Sequence, residues 1–410
     1  MTVRHKAFLT LSLLWSAYAS FYLCKVNFAV AQPAILKEFT YLTMAQIGAI
    51  PSVFAFVYAL GQVVNGTFAS RLGARLMMSI AMTLIAFSNI CFSFAETYEQ
   101  MLLLWALNGC AQSTGWSAVV ETTANWVQAN KRGFFIGIMS TSYQIGHCLS
   151  WLLAGFLTEE FGFRMAFRVP ALWVLVFLPF FAVFVRNKPD VALGTRSQSI
   201  ASAQERLRLK EILALTLENK VLWVLAIAFF CANGVRYSFM NWAVTYVEKV
   251  HGLSLKDSAF TAVILPLGGS VGAILSGYLT DKVFKGFRVP VAVIMLFALA
   301  VICALFPFVA KGDIARVALL LGLAGFFIYG PDMLISGALT ADLSNERARA
   351  AATGLTMSAG AFGSIFSGAG VGLLQDMAVG DFTSTFFTLS ALSMLPAVIL
   401  LPLWKKRAKV

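Results

Sequence analysis

Two basic side chains stand where basic side chains are costly. Of the 31 lysines and arginines, 29 fall in polar connections or at the ends of apolar runs, and only Lys25 and Arg236 sit well inside long apolar runs. An uncompensated Lys or Arg within hydrocarbon costs about 2.5–3.5 kcal/mol even on the mildest insertion scale. Two kinds of chemistry repay that cost. One is a structural ion pair, with Asp332 or Glu121 as the acid. The other is an anion site, in which Arg236 supplies a planar fork suited to bidentate contact and Lys25 a compact point charge. A phosphate monoester, with about −1.5 to −2 charge at pH 7 and three acceptor oxygens, suits such a pair. A carboxylate or sulfonate is the alternative anion.

Polar side chains recur at helical spacing around both cations. Tyr18, Tyr22 and Lys25 fall at i, i+4, i+7, one stripe of a helix. Tyr58 and Gln62 form a similar pair, and Tyr143 and Gln144 add polar groups further on. Asn233, Tyr237 and Asn241 fall at i, i+4, i+8 beside Arg236. Packing or an interfacial belt is the plain reading of tyrosines in such runs, but three polar heads on one face argue for a cavity. Asn and Tyr can donate to a sugar or an acid without adding charge.

Asp332 follows Gly330 and Pro331, where a helix break is expected. Such breaks are tolerated where backbone lines a cavity. Three roles are open to Asp332: pairing with Lys25 or Arg236 in an empty site, carrying a coupling proton, or a structural hydrogen bond to a neighbouring helix. Glu121 reads as a gate or a structural pair, and His147 as core packing. No Walker motif, H-E-x-x-H or Ser-His-Asp set is present, so no catalysis, cofactor or metal is expected. The glycines of the Gly322–Gly325 run are a packing feature.

These residues need elements that cross a bilayer. Of 410 residues, 59% are hydrophobic and only 12% charged, against about 25% charged in soluble domains. That excludes a soluble enzyme, a nucleic-acid binder and a disordered chain. Apolar runs at 7–31, 45–69, 76–95, 101–127, 133–157, 165–185, 221–247, 258–280, 289–310, 316–341, 350–374 and 385–404 predict twelve spans. They group as a six-helix bundle over 1–185, a linker over 186–220 with an amphipathic or solvated second part, and a six-helix bundle over 221–410. Small residues from Gly354 to Gly372 permit close helix packing. The six cysteines all lie in apolar runs and read as core residues. The net charge of +12 is a topology signal. Lysines and arginines crowd the loops on the side of both termini and the linker, which places that side in the cytoplasm.

The two halves repeat. Lys25 and Arg236 are 211 positions apart, and so are Gly66 and Gly277, each of which opens a loop with a basic end. Duplicated halves related by an axis along the membrane normal, with the site between them, are the architecture of the major facilitator superfamily. Within it, the sequence resembles the organophosphate:phosphate antiporters. Tyr22, Lys25, Asn27 and Phe28 followed by Ala31 and Pro33 are similar to their first-span signature. Arg236, Tyr237, Trp242, Thr245 and Tyr246 match the seventh span, Asp281, Lys282, Phe284 and Gly286 the following loop, and Tyr329, Gly330, Pro331, Met333, Leu334 and Ile335 the tenth span. Gly115, Trp116, Lys131, Arg132 and Gly133 match around the fourth.

The resemblance implies an all-α integral membrane protein with twelve transmembrane helices in two pseudo-symmetric six-helix halves. It also implies exchange of a phosphorylated metabolite for inorganic phosphate, by a monomer in a bacterial inner membrane. The sequence departs from the family at the site. Lys25 stands for an arginine, Tyr143 for a histidine, Gln62 for a lysine, Asn241 for an acid, Asp332 for a neutral residue and Ser70 for an aspartate. A proton-coupled carboxylate or sulfonate symporter, a sugar-phosphate sensor, and a lipid flippase are the alternatives. Two central cations fit the last of these less well.

Overall fold

A computed structural model describes residues 3–128, 132–188, 211, 215–309, 313–344 and 349–406. Most of the expected linker over 186–220 lies outside them, as do Lys131 and Arg347, and the side chains of 63–72 are likewise not described. The described residues form helices and no strands. In order they are α1 (Val3–Leu23), α2 (Asn27–Glu38), α3 (Met44–Phe92), α4 (Tyr98–Gln112), α5 (Gly115–Trp126), α6 (Arg132–Phe161) and α7 (Met165–Phe184), followed by α8 (Lys220–His251), α9 (Leu255–Ala262), α10 (Ile264–Tyr278), α11 (Arg288–Val309), α12 (Ile314–Met333), α13 (Thr340–Leu343), α14 (Arg349–Met377) and α15 (Thr383–Leu400).

Ten helical stretches among the described residues are long and apolar enough to cross a membrane. The other two expected spans are also helical. The fourth is interrupted between α4 and α5, and α6 is long but diluted by Ser140, Thr141, Ser142, Tyr143, Gln144 and His147. Large apolar side chains face outward, among them Phe94, Leu103 and Ile274, which is 77% exposed. In water such a surface would aggregate; in a bilayer it meets its own kind. The chain is a multi-pass membrane protein.

The chain divides into two compact units. The first comprises Met1–Leu42, Val53–Gln204 and Ser254–Phe260. Here α1 packs on α6 and α7. Its core is aromatic: Phe92 meets Phe167 at 4.5 Å between ring centroids, and Phe28 meets Trp105 at 5.2 Å. The Glu159 carboxylate accepts a hydrogen bond from the Leu255 backbone N–H at 3.0 Å, covering an open donor at the start of α9.

The second unit comprises Thr43–Ser52, Glu205–Leu253 and Thr261–Val410. Its tightest contacts run through glycines. A Cβ on Gly272 would collide with the Phe326 carbonyl, and one on Gly325 with the Leu265 carbonyl, so α10 and α12 meet backbone to backbone. In the expected small-residue run, Gly363 lies against the Phe230 carbonyl of α8 and Gly372 against that of Met44. The Asp376 carboxylate accepts from the backbone N–H groups of Met44 and Ala45 at 2.9 and 2.8 Å.

The connection expected between the runs 45–69 and 76–95 falls within α3 at Gly73, whose φ of 76° favours glycine, and the Arg75 N–H donates to the Asn187 side chain. The helices depart from the expected runs at two places. The first span reaches Glu38 and breaks at residues 24–26, between α1 and α2. The second concerns Pro331. The expected break at Gly330 and Pro331 is absent: α12 runs through the proline to Met333, and a π-helical turn, Leu334–Leu339, follows.

Candidate functional site

Lys25 lies in the gap between α1 and α2. The gap interrupts the backbone ladder, and carbonyls near it must find other partners. Side chains from three neighbouring helical segments supply them. Asn108 of α4 donates to the Cys24 carbonyl at 2.8 Å, and Asn89 of α3 donates to it at 3.2 Å. Gln112 donates to the Phe21 carbonyl at 2.8 Å, and Ser150 of α6 to that of Leu23 at 3.3 Å. Asn27, at the start of α2, donates to both Asn89 Oδ1 and the Ala166 carbonyl, at 3.1 and 3.0 Å. Asn27, Asn89, Asn108 and Gln112 are all buried. The amide nitrogens of this network are tied to the backbone of the gap and to each other. These bonds hold the backbone that presents Lys25.

The Lys25 ammonium points into aromatic faces. Its Nζ is 4.6 Å from the ring centroid of Tyr58, 5.0 Å from Tyr22 and 5.4 Å from Phe54. Each ring face attracts the cation through its quadrupole. The Gln62 amide donates to the Tyr58 hydroxyl at 3.1 Å. Tyr22 packs against Tyr143 at 5.8 Å and Tyr18 at 5.8 Å, and Tyr18 packs against Trp116 at 5.5 Å. Thus Tyr18, Tyr22, Lys25, Tyr58, Gln62 and Tyr143 come together within the first unit. Gln144 is half-buried on α6, and Glu121 is half-buried on α5. His147 stands edge-on to Trp151 at 4.5 Å, in the core.

The second unit carries the other cation. Arg236 Nη1 donates to Asp332 Oδ1 at 2.9 Å, with the two side chains 14% and 17% exposed. The guanidinium carbon lies 4.8 Å from the Tyr329 ring centroid and 5.4 Å from that of Tyr237. Tyr329 and Asp332 are spaced i, i+3 on α12, so one helix face delivers both to the guanidinium. Of the roles open to Asp332, the one found is pairing with Arg236. Asn241 Nδ2 donates to Ser367 Oγ at 3.1 Å. Asn233 is buried where α8 meets Gly360 of α14.

Several of these residues carried no flag in the sequence. Phe54 is an aromatic residue in an apolar run, which core packing alone explains. Asn89, Asn108 and Gln112 did carry a signal: buried amides in apolar spans need partners. Tyr329 belonged to a recognised motif without a role.

The chain matches the family model described as Major Facilitator Superfamily over residues 14–368. It is 29% identical to "Probable hexose phosphate transport protein" of Chlamydia pneumoniae, over 96% of this chain and 90% of that protein. It is 28% identical to "Membrane sensor protein UhpC" of Salmonella typhimurium, over 96% of this chain and 91% of that protein. A crystal structure of nucleoside transporter NupG superposes with a TM-score of 0.79 at 15% identity, covering 97% of this chain and all of the other. That likeness is one of fold. The relatives' names agree with the resemblance to organophosphate:phosphate antiporters carried by the span motifs. With a cation set among tyrosines in each unit and a family model spanning most of its length, this chain belongs to the major facilitator superfamily.

Proposed function

We propose that the protein is a secondary transporter of phosphorylated organic anions, exchanging them for inorganic phosphate by alternating access. The observation that carries this reading is the matched placement of Lys25 and Arg236. Each cation is held against aromatic faces in its own unit, and each stands at the same position of an internal repeat. Cation–π contacts lower the cost of burying a cation without neutralising it. Lys25 and Arg236, each in its own unit, offer positive charge to the phosphate group. Tyr18, Tyr22, Tyr58, Gln62, Tyr143, Gln144, Asn233, Tyr237 and Asn241 contact the organic part or orient the cations. The similarity to a hexose phosphate transport protein supports a sugar phosphate as the substrate class. The loop charges support a cytoplasmic location for both termini, in a bacterial inner membrane.

A second reading is favoured by one observation. A relative of nearly equal identity is named as a membrane sensor. A sensor binds the same anion without moving it, so binding and transport must be measured separately.

Thermal melting of the purified protein tests the binding step. Ligand present at 100 times its dissociation constant stabilises by about 2.7 kcal/mol. Hexose 6-phosphate and glycerol 3-phosphate should raise the melting temperature, neutral hexose should not, and Lys25→Gln should abolish the shift. A shift that survives in Lys25→Gln would remove Lys25 from the site.

A further inference from the structure

The ion pair in the second unit bears on the charge of the substrate. This inference rests on the anion-transport reading above. Arg236 and Asp332 sum to zero charge, and the acid takes Nη1, one of the guanidinium nitrogens that a phosphate would use. The guanidinium carbon lies over the rings of Tyr329 and Tyr237, at 4.8 and 5.4 Å from their centroids. The π-helical turn Leu334–Leu339 begins two residues after Asp332, and the Ser336 hydroxyl donates back to the Asp332 carbonyl at 2.6 Å. An anion that reaches Arg236 therefore comes within a few ångströms of a second negative charge, in a half-buried place where Coulomb repulsion is poorly screened.

We propose that Asp332 is a specificity-determining residue that makes the site select singly charged organic anions over doubly charged ones. The monoanion shares Arg236 with Asp332 at little cost. The dianion must either displace the acid or bear its repulsion, each of which weakens binding. The chemical class taken is a sugar or polyol bearing one net negative charge. That includes the singly protonated form of a phosphate ester, whose second ionisation lies near pH 6.

A matched pair of esters isolates charge from shape. Hexose 6-sulfate and hexose 6-phosphate have the same sugar and a tetrahedral oxyanion. At pH 8 the sulfate ester carries one charge and the phosphate ester about two. Binding of both is measured by calorimetry on wild type, Asp332→Asn and Asp332→Glu. Wild type should bind the sulfate ester at least tenfold more tightly. Asp332→Asn, which leaves Arg236 charged, should shift the ratio at least tenfold toward the phosphate ester. Asp332→Glu, which keeps the charge, should retain the wild-type preference and shows that the shift is not a loss of folding. An unchanged ratio in Asp332→Asn, or a wild type that prefers the dianion, overturns the proposal while leaving the anion-transport reading intact. Binding of neither ester by wild type overturns that reading, and this inference with it.

Discussion

Lys25 and Arg236 are repeat-related, yet each is held by different means. Lys25 lies against three rings and Arg236 against an acid and two rings. Cation–π contacts contribute about 0.5–2 kcal/mol each, depending on desolvation. The Arg236–Asp332 contact differs in kind, because removing one partner strands the other. Arg236→Ala should destabilise the protein by about 3 kcal/mol, within the range for broken buried pairs. Adding Asp332→Asn should restore at least half of that loss. Melting temperatures of the single and double variants in detergent decide it. A single variant that melts with wild type would show that Asp332 reaches solvent without the arginine. The cations were legible in the sequence because charge inside an apolar run is conspicuous. The choice of Arg236 as the partner of Asp332 was not, because it depends on how α8 and α12 face each other.

Among the elements, the break between α1 and α2 matters most. Residues 24–26 contain neither glycine nor proline, so nothing local announces the gap, and the apolar run reads as one span. The amides of Asn89, Asn108 and Gln112 come from helices distant in sequence, and tertiary contacts of this kind override local propensity. The reverse happens at Pro331, where a strong local signal for a break yields to a continuous helix and a π-helical turn. The role of the amides can be measured. Asn108→Ala removes the shorter of two hydrogen bonds to the Cys24 carbonyl. A loss of about 1–3 kcal/mol is expected from an under-satisfied buried group. Ligand affinity should fall further than stability accounts for, because Lys25 loses its fixed backbone. Equal stability and equal affinity in Asn108→Ala would show that the break holds itself.

The molecule as a whole was the most legible level. Apolar content and run length are summed over hundreds of residues, so errors of a few residues at each boundary cancel; ten of the twelve expected runs are long and apolar enough to span, and the other two are helical among the described residues. The repeat offset and span motifs pointed to the family that the model over residues 14–368 identifies. Substrate class is harder to read, because it rests on a handful of side chains whose neighbours are set by packing. On the proposed reading, the two repeat-related cations carry the anion across. The direct test uses vesicles loaded with inorganic phosphate and reconstituted with purified protein, and follows uptake of radiolabelled hexose 6-phosphate. Wild type is compared with the triple variant Lys25→Gln, Arg236→Gln, Asp332→Asn, in which no charge is left unpaired. Wild-type uptake should depend on internal phosphate, and the triple variant should fall to the level of empty vesicles while melting within a few degrees of wild type. Phosphate-dependent uptake by the triple variant at the wild-type rate would contradict the account and leave both cations as structural residues.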